Sequence, residues 1–335
     1  MVAPHLRQRQ PYLRRLRVNT LSPPVRVQVV THLWPTSSKP EYGVFVQNQV
    51  EALRARPGVE VEVRAFPRGA LSYLRAAWAL RGSARRGAFD IVHAHYGLSG
   101  WSALATRARQ LVVTFHGTDL RHPVVGPLSR VLVRLISLPA TVSASLARSA
   151  LPGAGSRRAV AVLPCGVDME RFQPLDRTEV RLQLGLQPDR PYLLFPADPS
   201  RAVKRHDRAL ELAARFPGAE LLTLSAVSPR QVPLWVNAAN AVLVTSDSEG
   251  FGLAALESLA CEVPVLSTPV GIAPLVLGGL DGALCAPFDP DQWGRLLHSH
   301  LSASDPRVAG RARAALFSSE RMADRVLAVY RELVA

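Results

Sequence analysis

The order of apolar and polar positions predicts alternating strands and helices along most of the chain. In the first half, strands are predicted at 25–31, 59–65, 90–94, 111–115, 140–143 and 160–163. The intervening segments carry apolar residues at helical spacing and predict helices at 42–56, 71–85, 99–109 and 127–138. Such alternation is typical of a parallel sheet whose strands are joined by helical crossovers.

The same alternation begins again after a proline-containing linker between residues 164 and 177. Strands are predicted at 192–196, 220–224, 241–245 and 265–268, with helices at 179–184, 206–215, 232–238, 253–260, 291–301, 306–316 and 319–334. The chain therefore divides into a basic, disordered tail over 1–24, two Rossmann-like domains over 25–168 and 169–315, and a terminal helix over 316–335. The predicted fold class is α/β with two doubly wound domains.

The composition indicates a globular protein without a membrane-spanning segment. Of the 335 residues, 48% are hydrophobic and 20% are charged, which suits two domains with their own cores. No apolar run reaches the roughly 20 residues needed to cross a bilayer, and the basic start lacks the apolar stretch of a secretory signal. The three cysteines, Cys165, Cys261 and Cys285, are scattered without metal-ligand spacing. They indicate a reducing, cytoplasmic compartment.

A net charge of +14 is the one unusual bulk property, and Lys39 and Lys204 are the only lysines among its cations. Such a surface attracts nucleic acid, acidic lipid or phosphorylated substrates. Aromatic residues make up only 6% of the chain and are not interleaved with the arginines, which disfavours a base-stacking, nucleic-acid-binding platform. We therefore expect an anionic membrane surface, on the inner face of the cell membrane, or a phosphate-rich substrate.

The segment 246–271 holds the most informative motif. A buried strand, 241–245, leads into a polar turn and then into a helix that stops before Pro264. Glu249 lies in the turn and Glu257 lies inside the helix, on either side of Gly250, Phe251, Gly252 and Leu253. Ligands of open α/β sheets bind at this edge of the sheet, where unpaired N–H groups at a helix start attract phosphate. The two carboxylates can accept hydrogen bonds from sugar or ribose hydroxyls.

This motif, together with PVLSTPVG after it, resembles the signature of glycosyltransferase family 4. The resemblance covers residues 25–335 and implies the GT-B fold, in which two Rossmann-like domains face each other across a cleft and the last helix crosses back to the first domain. It also implies a retaining enzyme that uses a nucleotide-diphosphate sugar, with Glu249 in a catalytic role. Gly250, Phe251, Gly252, Leu253 and Glu257 would then bind the donor.

Two cations after strand 192–196 match the family's diphosphate-binding pair. A departing diphosphate needs fixed cations, N–H donors or a metal to meet its charge. Lys204 matches the family's lysine, and Arg201 is assigned with it although the family usually keeps more residues between the two. No Asp-x-Asp motif ends a strand, and Asp247 alone is a weak metal ligand. We therefore expect neither a metal nor another cofactor.

Histidines and a glycine in the first half complete the predicted site. In HGTD, His116 resembles the family's active-site histidine, which contacts the donor sugar, and Asp119 is expected to orient the loop. His93 and His95 share one strand face; His95 is predicted to contact the acceptor, and His93 to pack. Gly43 matches one glycine of the pair that brings backbone N–H groups near the diphosphate.

Two segments, 42–53 (YGVFVQNQVEAL) and 93–100 (HAHYGLSG), most resemble family members that build cell-wall or capsular polymers, such as teichuronic-acid-type glycosyltransferases. The sequence thus favours a hexose-type transferase that acts on a glycan or lipid-linked acceptor in polysaccharide synthesis. Three alternatives stay open: a catalytically silent binding subunit, a nucleotide-sugar epimerase or glycogen-synthase-like enzyme of the same fold, and a nucleic-acid binder supported by charge alone.

Overall fold

Six parallel strands form the sheet of the first half. The computed structural model describes residues 23–83, 88–150 and 160–335. The strands are β1 (Val25–Thr31), β2 (Val59–Ala65), β3 (Ile91–His95), β4 (Leu111–Phe115), β5 (Leu138–Thr141) and β6 (Ala161–Val162), in the order β2-β1-β3-β4-β5-β6. The reversal of strand order beside β1 places the carboxyl ends of β1, β3 and β4 at one crevice, where ligands of this sheet type bind.

Two helical layers cover this sheet. The helices of the first half are α1 (Val44–Arg54), α2 (Ala70–Ser83), α3 (Gly97–Ala103), α4 (Thr118–Arg121), α5 (Val125–Leu132) and α6 (Ala144–Ala150). Alternate residues of each strand point to opposite faces. Val29 and Val112 therefore pack toward α1, whereas Val30 and Val113 pack toward α2, α3 and α5.

Five parallel strands form the second sheet: β7 (Tyr192–Phe195), β8 (Glu220–Thr223), β9 (Ala241–Val244), β10 (Val265–Ser267) and β11 (Leu284–Cys285), in the order β11-β10-β9-β7-β8. Its helices are α7 (Arg177–Gln183), α8 (His206–Ala213), α9 (Val232–Ala238), α10 (Leu253–Ala260), α11 (Ala273–Leu277), α12 (Pro290–Ser302) and α13 (Arg311–Ala315). The strand order again reverses, here between β7 and β9, which places the loops after both strands at the second crevice.

The chain crosses between the halves twice, and the two crossings lie side by side. The Val167 N–H donates to the Phe317 carbonyl at 2.9 Å, and the Ser319 N–H donates to the Val167 carbonyl at 2.9 Å. From this point α14 (Ser319–Val334) returns to the first half and packs on α1 and β1. Paired crossings of this kind form a short hinge about which the halves can turn.

Every predicted strand is present to within one or two residues, whereas β11 was not predicted. Several helices are shorter than predicted, and for two of them the cause is visible in the structure. The helix predicted at 127–138 ends at Leu132, and Leu138 belongs to β5, in keeping with Pro139 after it, which disfavours helical backbone at Leu138. The helix predicted at 306–316 is reduced to α13, since the Val308 N–H donates to the Glu262 carbonyl at 2.9 Å and holds 306–310 as a loop. The predicted tail lies almost wholly outside the described residues.

Candidate active site

Lys204 and Glu249 meet in the loops after β7 and β9. The Lys204 Nζ lies 2.5 Å from Glu249 Oε1, and both side chains are mostly buried, with exposures of 16% and 13%. The Ser246 hydroxyl donates to the same carboxylate oxygen at 2.7 Å. The Thr245 hydroxyl donates to the Lys204 carbonyl at 3.0 Å and ties the lysine's turn to the loop after β9. Two predicted catalytic residues are thus held together as a preformed ion pair.

The turn between Glu249 and α10 is fixed by backbone contacts. Gly252 takes a left-handed φ of 92° at the N-cap of α10, so the chain turns directly into the helix. The Phe251 carbonyl accepts from Ile272 N–H at 2.7 Å. The Phe251 side chain is buried against Phe317, so only its backbone can reach a donor. At the start of α10, the Leu253 N–H belongs to the first turn and has no partner earlier in the helix.

Glu257 lies one turn into α10, on the face that also carries Leu253. Among the described residues, no group donates a hydrogen bond to its carboxylate. Burial raises its pKa to about 7, and the positive charge of Arg171 opposes the rise. This carboxylate is free to accept hydrogen bonds, and its charge changes near neutral pH.

His116 faces this loop from the first half. The backbone N–H groups of His116 and Gly117 donate to Asp119 Oδ1 at 3.0 and 2.9 Å. The backbone N–H of Gly97 donates to Asp119 Oδ2 at 3.1 Å. Asp119 is fully buried, and burial raises its pKa to about 6 against the lowering effect of these N–H groups. Asp119 therefore orients the loop that carries His116, in the manner predicted.

A column of three histidines leads into the first half. The Nε2 of His116 lies 3.1 Å from Nδ1 of His95, whose ring stacks on His93 at 4.5 Å. His93 in turn lies 2.6 Å from the Tyr330 hydroxyl and 2.8 Å from that of Thr114. Burial lowers the pKa of His95 to about 3 and that of His116 well below its ordinary value, so both rings are neutral.

The predicted contact between His95 and an acceptor is not compatible with this arrangement. His95 has no exposed surface, and its Nε2 is buried without a hydrogen-bond partner. Because both rings are neutral, only one of the two facing nitrogens, His95 Nδ1 or His116 Nε2, carries a proton. His95 is thus a positioning residue, whose hydrogen bond fixes the tautomer of His116.

The two halves touch across the cleft at this point. The Ser143 hydroxyl donates to the Gly250 carbonyl at 3.2 Å, and Arg121 Nη1 donates to the Glu249 carbonyl at 3.4 Å. A Cβ built on Gly250 would lie 1.9 Å from the His116 carbonyl oxygen. Only glycine allows this approach, which places His116 next to the loop that carries Glu249.

Comparison with known proteins agrees with this fold. The family model described as Glycosyltransferase Family 4 matches residues 13–171, and the model described as Glycosyl transferases group 1 matches residues 209–315. A D-inositol 3-phosphate glycosyltransferase of Catenulispora acidiphila is 32% identical, over 85% of this chain and 81% of the relative. The enzyme of that name from Mycolicibacterium paratuberculosis is 29% identical, over 92% and 82%.

The chain belongs to glycosyltransferase family 4.

Solved structures show the fold of this family-4 glycosyltransferase. Sucrose-phosphate synthase from Thermosynechococcus elongatus superposes with a TM-score of 0.78 at 19% identity, covering 92% of this chain and 99% of that one. Anabaena HepE in complex with UDP and glucose gives a TM-score of 0.71 at 16% identity, covering 92% and 100%. The predicted GT-B fold, two Rossmann-like domains that face each other across a cleft, is confirmed.

Gly43 and Arg201 occupy different surroundings at the edge of the cleft. Gly43 caps α1 with a φ of 76°, and a Cβ there would lie 2.3 Å from the Leu33 carbonyl carbon. Two residues on, the Phe45 ring lies 4.7 Å from that of His116, so the start of α1 borders the site.

Arg201 is exposed, and its guanidinium bonds to no other described residue. Its predicted role as partner of Lys204 stays a prediction.

The expected independence from metal also stays a prediction. Asp247 is paired with Arg205 at 3.2 Å and with Arg208 at 2.9 Å. Among the residues that the structure describes, no three His, Cys, Asp or Glu side chains are grouped so that they could hold a metal ion.

Sequence reasoning missed Arg171, Arg121 and Ser143. The positive charge of Arg171 lowers the pKa of Glu257. The Nε of Arg171 is buried without a hydrogen-bond partner. The sequence signal for Arg171 is weak, because it lies three residues after the segment 164–168 (PCGVD) and belongs to no motif. Arg121 and Ser143 follow the ends of β4 and β5, where cleft residues of this sheet type are found.

Proposed function

We propose that this glycosyltransferase transfers a hexose from a nucleotide-diphosphate sugar with retention of configuration and without a metal ion. The observation that carries the proposal is the buried Lys204–Glu249 pair beside the start of α10, with His116 across the cleft. This arrangement offers one fixed cation and free backbone N–H groups where a leaving diphosphate gains charge. Anabaena HepE, a structure of the same fold, is described in complex with UDP-glucose.

In this mechanism Lys204, held in place by Glu249, meets the negative charge that the diphosphate gains as the sugar–oxygen bond breaks. The N–H of Leu253 adds a neutral donor at the helix start. Glu257, in its ionised form, accepts from ribose or sugar hydroxyls. Lys204 and the Leu253 N–H together stabilise the leaving group, a task that a metal ion performs in other enzymes.

In the same mechanism, neutral His116 acts as a hydrogen-bond donor to the sugar through Nδ1, in the tautomer in which His95 donates to its Nε2. No side chain in the site is assigned as a nucleophile, so the proposed route to retention is attack from the face of the leaving group. The leaving phosphate then takes the proton of the acceptor hydroxyl.

We propose a glycan or lipid-linked acceptor in cell-envelope polysaccharide synthesis, in the cytoplasm at the inner membrane surface. The names of the relatives favour a second candidate, a phosphorylated cyclitol such as D-inositol 3-phosphate. A lipid-linked acceptor with a diphosphate linkage and a cyclitol phosphate both bear anionic phosphate, so the chain's +14 charge suits either of these two.

The test is a donor panel followed by an acceptor panel. UDP- and GDP-hexoses are incubated with the enzyme in EDTA, and nucleotide diphosphate release is measured. The active donor is then paired with inositol 3-phosphate or with a polyprenyl-diphosphate glycan, and the anomeric configuration is read by NMR. Thermal stabilisation by a donor without any turnover would instead support a silent binding subunit, and an inverted product would refute retention.

A further inference from the structure

An exposed apolar stripe runs along α2. Leu71, Leu74 and Trp78 are 65%, 70% and 77% exposed. Their spacing of three and four residues puts them on one side of the helix. The other side of α2 is buried through Ala76 and Leu80. A solvent-facing tryptophan within such a stripe is unusual for a surface that meets only water.

A second apolar stripe runs along α5 and its flanks. It consists of Val124, Leu128, Val131 and Leu135, which are 66%, 43%, 46% and 55% exposed. Leu128 and Val131 lie on one side of α5, and Val124 and Leu135 extend the stripe in the residues that flank the helix.

The two stripes belong to the same helical layer, because α3 lies between α2 and α5. The Ser102 hydroxyl of α3 donates to the Tyr73 carbonyl of α2 at 2.9 Å. The Trp101 indole N–H of α3 donates to the Leu128 carbonyl of α5 at 3.2 Å. We call the two stripes together the apolar face.

The charges around the apolar face are of one sign. The segments 66–81 and 120–136, which contain it, have no aspartate or glutamate. Their arginines are all exposed: Arg68, Arg75, Arg81, Arg121, Arg130 and Arg134. Apolar side chains with tryptophan, interleaved with cations, are the combination that binds an anionic lipid interface.

We propose that the apolar face docks this enzyme on an anionic bilayer. A second copy of the chain fits less well, since a two-fold contact through this face would set arginines against arginines. None of the helices that the structure describes is both long and apolar enough to cross a bilayer, so docking would be peripheral. Insertion of seven side chains supplies the apolar part of the binding, and the arginines make it depend on lipid charge.

The apolar face lies close to the cleft between the two halves. Val124 lies three residues after Arg121, whose guanidinium reaches the Glu249 carbonyl across the cleft. The docked face would therefore border the mouth of the active site, which suits a lipid-linked acceptor. Only this last step rests on the proposed function; binding to lipid does not.

Flotation of the full chain with vesicles tests the proposal. Vesicles of pure phosphatidylcholine are compared with vesicles that contain about 30 mole per cent of the anionic lipid phosphatidylglycerol. We expect binding to the anionic vesicles only, and a loss of more than tenfold in the partition coefficient for Leu74→Gln/Trp78→Gln. The matched control is Leu182→Gln/Leu210→Gln, which removes two exposed leucines of the second half, 61% and 52% exposed, and should bind like the wild type.

A second double variant tests the contribution of the arginines. Arg75→Gln/Arg134→Gln should weaken binding about fivefold for each arginine removed, in line with about 1 kcal/mol per basic residue. Donor hydrolysis in solution is measured for every variant and should be unchanged, which separates failure of docking from failure of the transferase assignment. Absent binding by the wild type, equal binding to both vesicle types, or full binding by Leu74→Gln/Trp78→Gln would overturn the proposal. A wild-type dimer in solution that this double variant makes monomeric would also overturn it, in favour of a second copy.

Discussion

Replacing Gly250 with alanine tests whether catalysis needs the two halves to approach as closely as they do here. The new Cβ would lie 1.9 Å from the His116 carbonyl oxygen and 3.1 Å from its carbonyl carbon. A carbon–oxygen contact settles at about 3.3 Å, so the loop and the strand end must separate by about 1.4 Å. The φ of Gly250 is not in the left-handed region, so the perturbation is purely steric.

This separation falls between the groups that must act together. Glu249 and Lys204 lie on one side of the contact, and His116 lies on the other. A misplacement of about 1 Å at a reacting centre lowers the rate by about 10²-fold, so we expect kcat/KM to fall by about that factor. The stability of each half should change little, because the hinge can open and relieve the clash without disturbing either core.

The assay is the initial rate with the active donor, accompanied by small-angle scattering and a thermal melt. Gly218→Ala is the control, since a Cβ there meets nothing within 4 Å. We expect the Gly250→Ala variant to melt near the wild-type temperature and to have a larger radius of gyration that donor no longer reduces. An unchanged kcat/KM in a folded Gly250→Ala protein would show that this contact is not needed for catalysis.

Three further predictions follow from the site. Lys204→Met should lower kcat by on the order of 10²-fold, or about 3 kcal/mol, with the fold intact by circular dichroism; wild-type turnover would remove Lys204 from the mechanism. Turnover should persist in excess EDTA, and loss with recovery on adding Mg²⁺ or Mn²⁺ would contradict the assignment. Glu257 has a pKa of about 7 in the folded state against an ordinary value near 4.5, so it stays protonated to a higher pH in the folded than in the unfolded state. Its contribution to stability is therefore present at low pH and is lost between about pH 4.5 and 7, by up to about 3 kcal/mol. Denaturant unfolding across this range should show that loss in the wild type but not in Glu257→Gln, whereas donor affinity should rise through pH 7 in the wild type alone.

The sequence was most informative where chemistry and local structure are encoded together. The segment around Glu249 holds a buried strand, a glycine turn and a helix start within twenty residues, and each has a local signal. The sequence also predicted that Lys204 lies beside this segment, because it follows the neighbouring strand and the loops after parallel strands lie at one edge of the sheet; the structure places it against Glu249.

Residues that act through packing were beyond sequence reasoning. His95 ends a strand and carries a reactive side chain, so it was assigned to the acceptor. Its burial depends on His116, on His93 and on α14, which is more than two hundred residues away. Arg171 gains its importance only because the linker folds against α10, a contact that no local pattern encodes.

The histidine column connects the hinge to the catalytic cleft. The helix α14 begins at the crossing, where Ser319 is bonded to Val167, and ends against the first sheet with Tyr330 in contact with His93. Because His93 stacks on His95 and His95 is hydrogen-bonded to His116, one helix both leaves the hinge and supports the ring of His116, next to the loop that carries Glu249. Gly166 packs closely against Ser319, where a Cβ would lie 2.7 Å from the serine Cα, so the two crossings stay together where the halves turn. The same helix therefore anchors the hinge at one end and the histidine column at the other.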